Sequence, residues 1–191
     1  MVSKLLLAVQ ETALRTRGEP STAALLEKYV DIRNGLSFNK TPDVYGAFPT
    51  DPYSHTPQGH GAKQPGMTGL VKEEILTRRA ELGLFVQNGK VVFDSFLLAP
   101  HEFLRDPSVF PWLDISGQSQ SLELPSGSLA YTFCQVPIIL QPAKDARIEV
   151  FTKDGVRRVV QGNILDEVTS RSLFSRDGRV HHLHVFVVSQ D

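Results

Sequence analysis

The hydrophobic positions at the start of the chain recur at helical spacing. Across residues 2–16 apolar side chains return every three or four positions, which predicts a helix with one apolar face. The positions on that face are Leu5, Leu6, Val9, Ala13 and Leu14. Gly18 and Pro20 end this helix, and Thr22 or the serine before it can cap a second helix that runs to about residue 31. The pattern therefore predicts a helical hairpin.

No helical or strand period survives in the long segment that follows, residues 34–69, which is rich in Gly and Pro. Its aromatic residues and Met67 supply more apolar anchoring surface than a disordered linker normally carries, which favours an ordered, functional loop over disorder. Helical spacing returns at Thr68, which can act as a cap. The apolar side of this third helix is predicted to consist of Leu70, Val71, Ile75 and Leu82.

After Gly83 the pattern becomes strand-like. Two apolar runs flank Asn88-Gly89, a strong hairpin signal, and this hairpin is expected to close the helical part. Residues 101–120, with two prolines, read as a connector. From Ser121 onward apolar runs alternate with turns, which predicts a small antiparallel sandwich or jelly roll. The expected fold class is α+β, with a helical part over residues 1–110 and a β-sandwich domain over 111–191.

Composition narrows the classes of partner. A formal net charge of −1, from 20 basic and 21 acidic residues, lacks the positive surface expected of a nucleic-acid or anionic-membrane binder. No stretch reaches the roughly 20 apolar residues of a membrane span, and no secretory signal is visible. A soluble, cytoplasmic protein is therefore expected, or one that is secreted only as part of something longer. The lone Cys134 lies in an apolar run and is expected to be a small buried hydrophobe.

The densest polar cluster lies in the long loop, ahead of the third helix. Glycines there let the backbone approach a ligand, and the N–H groups of a helix start favour an anionic oxygen or a sugar hydroxyl. The alternative is that these side chains only satisfy loop backbone groups. The candidate ligand-binding residues are Asp51, Tyr53, His55, His60, Gln64, Thr68 and Gly69.

Other chemical groups are less promising. Glu73 and Glu74 are adjacent on a helix, so they point in different directions and are expected to be solvated, which leaves no evident pair of catalytic carboxylates. His182 and His184 share one face of a predicted strand, but a third metal ligand is missing nearby, so cross-strand packing is favoured. No metal or cofactor is expected.

The order of motifs KLLLAVQE, GLSFNKTP, YGAFPTDPYSHTP, GAKQPGMTGLVKEEILTR, NGKVVFDSFLL and a β tail resembles the C-terminal end of six-hairpin (α/α)-barrel carbohydrate-active enzymes. The nearest likeness is to glycoside phosphorylases of the cellobiose-phosphorylase kind and related glycoside hydrolases. In the phosphorylases a loop His, a Gln and a Thr-Gly pair help to hold phosphate. The resemblance implies that the matching positions are His55 or His60, Gln64, Thr68 and Gly69.

The chain also departs from that family. Residues 70–74, LVKEE, replace the hydrophobic continuation that follows Thr-Gly in the phosphorylases, so hydrolysis and phosphorolysis both stay open. The family's catalytic carboxylate lies earlier in the barrel. The resemblance thus implies the C-terminal portion of such an enzyme, with carbohydrate and, for a phosphorylase, phosphate as ligands. A missing N-terminal barrel segment or self-association would cover the helices. The alternative is a non-catalytic carbohydrate- or protein-binding module.

Overall fold

The computed structural model describes residues 2–35 and 71–188 of the chain, which divides into two compact units between Arg79 and Ala80. We call residues up to 79 the helical unit and residues from 80 the β unit. Helices and mostly antiparallel strands are both present, which confirms the α+β class. Within the described ranges no helix is long and apolar enough to cross a membrane.

The helical unit contains the predicted hairpin. Helix α1 spans Val2–Arg15 and helix α2 spans Thr22–Gly35. Leu6 of α1 is fully buried against Tyr29 of α2. Leu5, which was predicted to lie on the same apolar face, is instead 53% exposed, whereas Gln10 is fully buried. Packing around Leu6 and Tyr29 holds the two helices together.

Helix α3 spans Val71–Glu81 and turns a different side inward from the one predicted. Ile75 is 61% exposed, whereas Glu73 is only 5% exposed and Thr77 is buried. The expected solvation of Glu73 was therefore wrong. The inward side is set by polar contacts, since Gln10 of α1 donates a hydrogen bond to the carbonyl oxygen of Thr77 at 3.0 Å.

The β unit begins with the predicted hairpin, in which β1 (Leu84–Gln87) pairs antiparallel with β2 (Lys90–Phe93). Asn88 and Gly89 both have positive φ, as a two-residue type I′ turn requires. We expected this hairpin to close the helical part. Its side chains instead lie in the hydrophobic core of the β unit, because Leu84, Val91 and Phe93 cluster with the central strands of the sheet.

The predicted connector over residues 101–120 is largely a second hairpin, formed by β3 (Ser108–Leu113) and β4 (Ser119–Leu124). Pro111 lies inside β3, which is tolerated because each strand of a two-stranded sheet has one unpaired edge. Asp114 shapes the turn, since its Oδ1 accepts hydrogen bonds from the backbone N–H groups of Ser116 and Gln118. The connector prediction failed because proline alone does not exclude an edge strand.

The largest part of the β unit is a five-stranded sheet, in the order β5-β6-β9-β7-β8. Three of its four pairings are antiparallel, and β6 and β9 are parallel. The strands are β5 (Leu129–Phe133), β6 (Val136–Ala143), β7 (Arg147–Thr152), β8 (Arg157–Gln161) and β9 (Val180–Val188). The last strand of the chain therefore lies in the middle of the sheet.

One face of this sheet carries the core. Alternate residues of the central strands, such as Ile148 and Val185, are fully buried in the same cluster as the β1–β2 hairpin and helix α4 (Glu167–Ser175). The sequence analysis did not predict α4. Its start is nevertheless marked by Asp166, whose side chain accepts a hydrogen bond from the backbone N–H of Thr169. The opposite face of the sheet is left for other contacts.

Candidate functional site

The ligand-binding residues predicted from the sequence lie outside the described part of the chain, which resumes at residue 71. The set comprises Asp51, Tyr53, His55, His60, Gln64, Thr68 and Gly69. Their assignment stays a prediction. The described residues bring a different set of polar and aromatic side chains together, on the β unit.

We call this second set the outer sheet face, since its members point away from the hydrophobic core. Along β9 the buried residues Leu183 and Val185 alternate with residues that point to the opposite side, and the same alternation runs along β7. The outer sheet face consists of Gln141, Arg147, Glu149, Phe151, Arg157, His182, His184 and Phe186.

Glu149 is the buried charge at the centre of this face. Arg157 on the neighbouring strand binds its carboxylate through two contacts, of 2.6 and 3.0 Å, and the Nε of Arg147 lies 3.4 Å from the same carboxylate. The hydrogen bond from Arg157 holds the pKa of Glu149 below its ordinary value, against the opposing effect of burial. One carboxylate thus faces two guanidinium groups, so this part of the face has an excess of positive charge.

Aromatic rings stack in two pairs beside that ion pair, one across neighbouring strands and one along β9. Phe151 is paired with His182, and their rings are stacked with centroids 4.2 Å apart. His184 stacks on Phe186 along β9 with centroids 4.3 Å apart. The guanidinium carbon of Arg147 lies 3.5 Å from the centroid of the Phe186 ring, a cation–π contact.

The histidines of this face are held neutral at ordinary pH. Burial, followed by the charges of His181 and His184, lowers the pKa of His182 to about 4. Burial also lowers the pKa of His184, although Glu149 acts in the opposite direction. A neutral imidazole offers one hydrogen-bond donor and one acceptor.

Each histidine also has a polar partner already. Nε2 of His184 lies 2.9 Å from Oε1 of Gln141, and the Nδ1 atoms of His181 and His182 are 2.7 Å apart. His182 and His184 do share one face of β9, as the alternation predicted. No group of three metal-ligating side chains occurs among residues 2–35 and 71–188. The arrangement suits recognition of a polar ligand by fixed donors and acceptors next to rings.

A second concentration of buried polar groups lies inside the helical unit. The side-chain amide of Gln10 donates to the hydroxyl of Tyr29 at 3.2 Å as well as to the carbonyl of Thr77. Oε1 of Gln10 and Oε2 of Glu73 are buried, and neither has a hydrogen-bond partner within the described residues. Sequence periodicity missed this cluster because Gln10 and Glu73 read as polar surface positions. Its observed contacts join three helices, so we assign it a structural role.

No protein-family model matches the chain, and a search of curated proteins found no match.

Proposed function

We propose that this chain is the C-terminal portion of a carbohydrate-active enzyme, a glycoside hydrolase or phosphorylase, and that it forms one wall of a sugar-binding site. In this proposal the catalytic acid lies outside the chain. The observation that carries the proposal is the order of elements: a helical hairpin, a further helix, and a β unit that begins with a β-hairpin. That order is the one that the resemblance implies for the end of a six-hairpin (α/α) barrel and the sandwich-like domain after it.

The packing of the helical unit supports this proposal. An (α/α) barrel is built from helical hairpins whose neighbours pack side by side, and α1 and α2 form such a hairpin. The bridge from Gln10 to Thr77 joins that hairpin laterally to α3, which would then be the final helix of the barrel. Leu5 and Val30 are exposed on the hairpin, so apolar surface is available for a preceding barrel segment or a second copy.

In the proposed site, the loop before α3 supplies the sugar contacts. Tyr53 would offer a ring face, and His55, His60, Gln64 and Thr68 would offer donors and acceptors for hydroxyl or phosphate oxygens. Phosphate would be a ligand only if the enzyme is a phosphorylase. Asp51 and Gly69 are the first and last of the ligand-binding residues predicted from the sequence.

Isothermal titration calorimetry on the enzyme that contains this chain tests the proposal, with cellobiose and inorganic phosphate as probes. Gln64→Ala should weaken binding by about 5- to 150-fold, the equivalent of about 1 to 3 kcal/mol for a lost hydrogen-bond partner. Gln58→Ala, a change of the same chemistry in the same loop, is the matched control and should leave the affinity unchanged. Equal effects of the two substitutions, or none, would contradict the assignment of Gln64.

The outer sheet face favours a second candidate function, a non-catalytic carbohydrate-binding module. Phe151 and His182 provide rings, and Arg157 provides donors beside them, which together are the elements that sugar recognition needs. The same calorimetry separates the two candidates. If Phe151→Ala abolishes oligosaccharide binding and Gln64→Ala does not, the module is favoured; Phe174→Ala, an exposed phenylalanine on α4, is the control.

A further inference from the structure

An apolar pocket opens in the β unit, apart from the outer sheet face. Its volume is about 510 Å³, and its walls include Phe96, Leu98, Phe103, Pro142 and Val187. Small-molecule sites typically enclose about 300 to 1,000 Å³ and are lined mainly by apolar side chains. The size and lining of this pocket fall within that class.

The pocket lies on the core face of the sheet, at the ends of β6 and β9. Leu140 on β6 and Val185 on β9 are paired and buried in the core. Two residues further along each strand, Pro142 and Val187 form the next pair on the same face, and both line the pocket. Because β6 and β9 are parallel, they end at the same edge of the sheet. The pocket opens at this edge, on the apolar face that the two strands share.

The opposite wall is held in place by backbone hydrogen bonds. Within the segment after β2, the N–H of Leu98 donates to the carbonyl of Ser95 and the N–H of Glu102 donates to the carbonyl of Ala99, each at 3.0 Å. The N–H of Leu104, two residues after Glu102, donates to the carbonyl of Ser128 at 2.8 Å, which ties this segment to the start of β5. Since Leu98 and Phe103 also pack against the core, the wall is preformed.

The lining determines which ligands fit. None of the described residues that form its wall is ionisable, so a charged ligand would lose its hydration without gaining a counter-ion. Among the described residues of the wall, only Ser95 has a side chain with a polar group. A sugar would lose water from several hydroxyls for one hydroxyl partner, so this pocket disfavours the ligand class proposed for the loop and the outer sheet face.

We propose that the pocket between the segment Ser95–Phe103 and the ends of β6 and β9 binds an uncharged, mainly apolar small molecule that carries a single hydrogen-bonding group. The hydroxyl of Ser95 is the partner of that group, and the rings of Phe96 and Phe103 contact the apolar body. This site is independent of the proposed carbohydrate function, since it uses neither the loop residues nor the outer sheet face.

The test uses fluorescence titration of the full chain with N-phenyl-1-naphthylamine, an uncharged aromatic probe with one N–H group. Pro142 lines the pocket on the core face of β6 and is exposed, so its side chain can be changed without disturbing the core. Pro142→Arg places a charge at the pocket and should weaken probe binding by about tenfold or more. Pro107→Arg is the matched control, because Pro107 is an exposed proline that does not line the pocket.

A second variant separates a cavity from a flat apolar patch. Pro142→Trp fills a cavity and should also weaken binding, whereas on a flat patch the larger apolar side chain would strengthen it. Unchanged affinity in Pro142→Arg, equal losses in Pro142→Arg and Pro107→Arg, or tighter binding by Pro142→Trp would each overturn the proposal. So would sedimentation showing a dimer that Pro142→Arg converts into monomers, since a second copy would then be the occupant.

Discussion

Buried polar side chains link distant parts of this chain at the scale of single residues. Gln10 reaches the carbonyl of Thr77, 67 positions away, and the hydroxyl of Ser170 accepts a hydrogen bond from the backbone N–H of Val91, 79 positions away. Glu149 is buried between two arginines. A buried polar group without a partner costs about 1 to 3 kcal/mol, so these contacts restrict which arrangements of the elements are stable.

The low pKa of His182 predicts that acid destabilises the β unit. With a folded-state pKa of about 4 and an ordinary value of 6.5, the unfolded chain binds more protons at this residue between those two pH values. Its contribution to stability is present above pH 6.5 and is lost as the pH falls toward 4. After a discount for solvent screening of this partly exposed group, the loss should be about 1 to 2 kcal/mol.

Urea unfolding followed by Trp112 fluorescence at several pH values between 7 and 4 measures this loss. His182→Gln removes the titrating group and should flatten the decline in unfolding free energy across that window. Part of the decline should remain in His182→Gln, because burial also lowers the pKa of His184. An identical pH dependence in the wild type and in His182→Gln would show that His182 does not cause the decline.

The candidate sites could be predicted only in part from single residues. Alternation along a strand was enough to place His182 and His184 on one face of β9. It could not bring Phe151 to His182, because that contact depends on the pairing of β7 with β9, which are distant in sequence. The contact of Arg157 with Glu149 depends on the register of the hairpin that β7 and β8 form. The prediction for Glu73 was wrong for a related reason. Its charge indicated solvent exposure, although tertiary contacts bury it.

At the scale of elements, local signals were sufficient where the contacts are local. The helical hairpin and the Asn88-Gly89 turn follow from periodicity and turn chemistry within short windows. The pattern failed for β3, whose proline suggested a connector, and for α4, whose residues were not recognised as a helix. It also could not show that β9 inserts between β6 and β7, because sheet order depends on non-local pairing.

The Gln10 contacts predict how the three helices depend on one another. Gln10→Ala removes two hydrogen bonds from the interior of the helical unit and leaves a small cavity, so it should lower the free energy of unfolding by about 1 to 3 kcal/mol. Far-UV circular dichroism during urea unfolding measures this change. Glu11→Ala, at the next and exposed position of α1, should change stability by less than about 0.5 kcal/mol. Equal effects of the two substitutions would mean that Gln10 does not join the helices.

At the scale of the whole molecule, the boundary between the two units falls after Arg79, whereas we expected a boundary after residue 110. The difference arises because a hairpin signal identifies two strands without showing which core they join. Phe93 and Val91 are almost completely buried in the β unit. Backbone hydrogen bonds also join strand β2 to this unit. The N–H of Phe93 donates to the carbonyl of Asn163, and the carbonyl of Val91 accepts from the N–H of Leu165.

These contacts predict different behaviour for two fragments of the chain. A fragment of residues 80–191 keeps the hairpin and should unfold cooperatively in urea. A fragment of residues 111–191 loses three core side chains, Leu84, Val91 and Phe93, each of which stabilises by about 1.5 to 3 kcal/mol when buried. Together that loss is comparable with the whole stability of a small domain, about 5 to 15 kcal/mol, so the shorter fragment should lack a cooperative transition. Trp112 is present in both fragments, so its fluorescence and the near-UV circular dichroism compare them directly. If both fragments unfolded with the same midpoint and the same cooperativity, the hairpin would not belong to the core of the β unit, and the boundary after residue 110 would be correct.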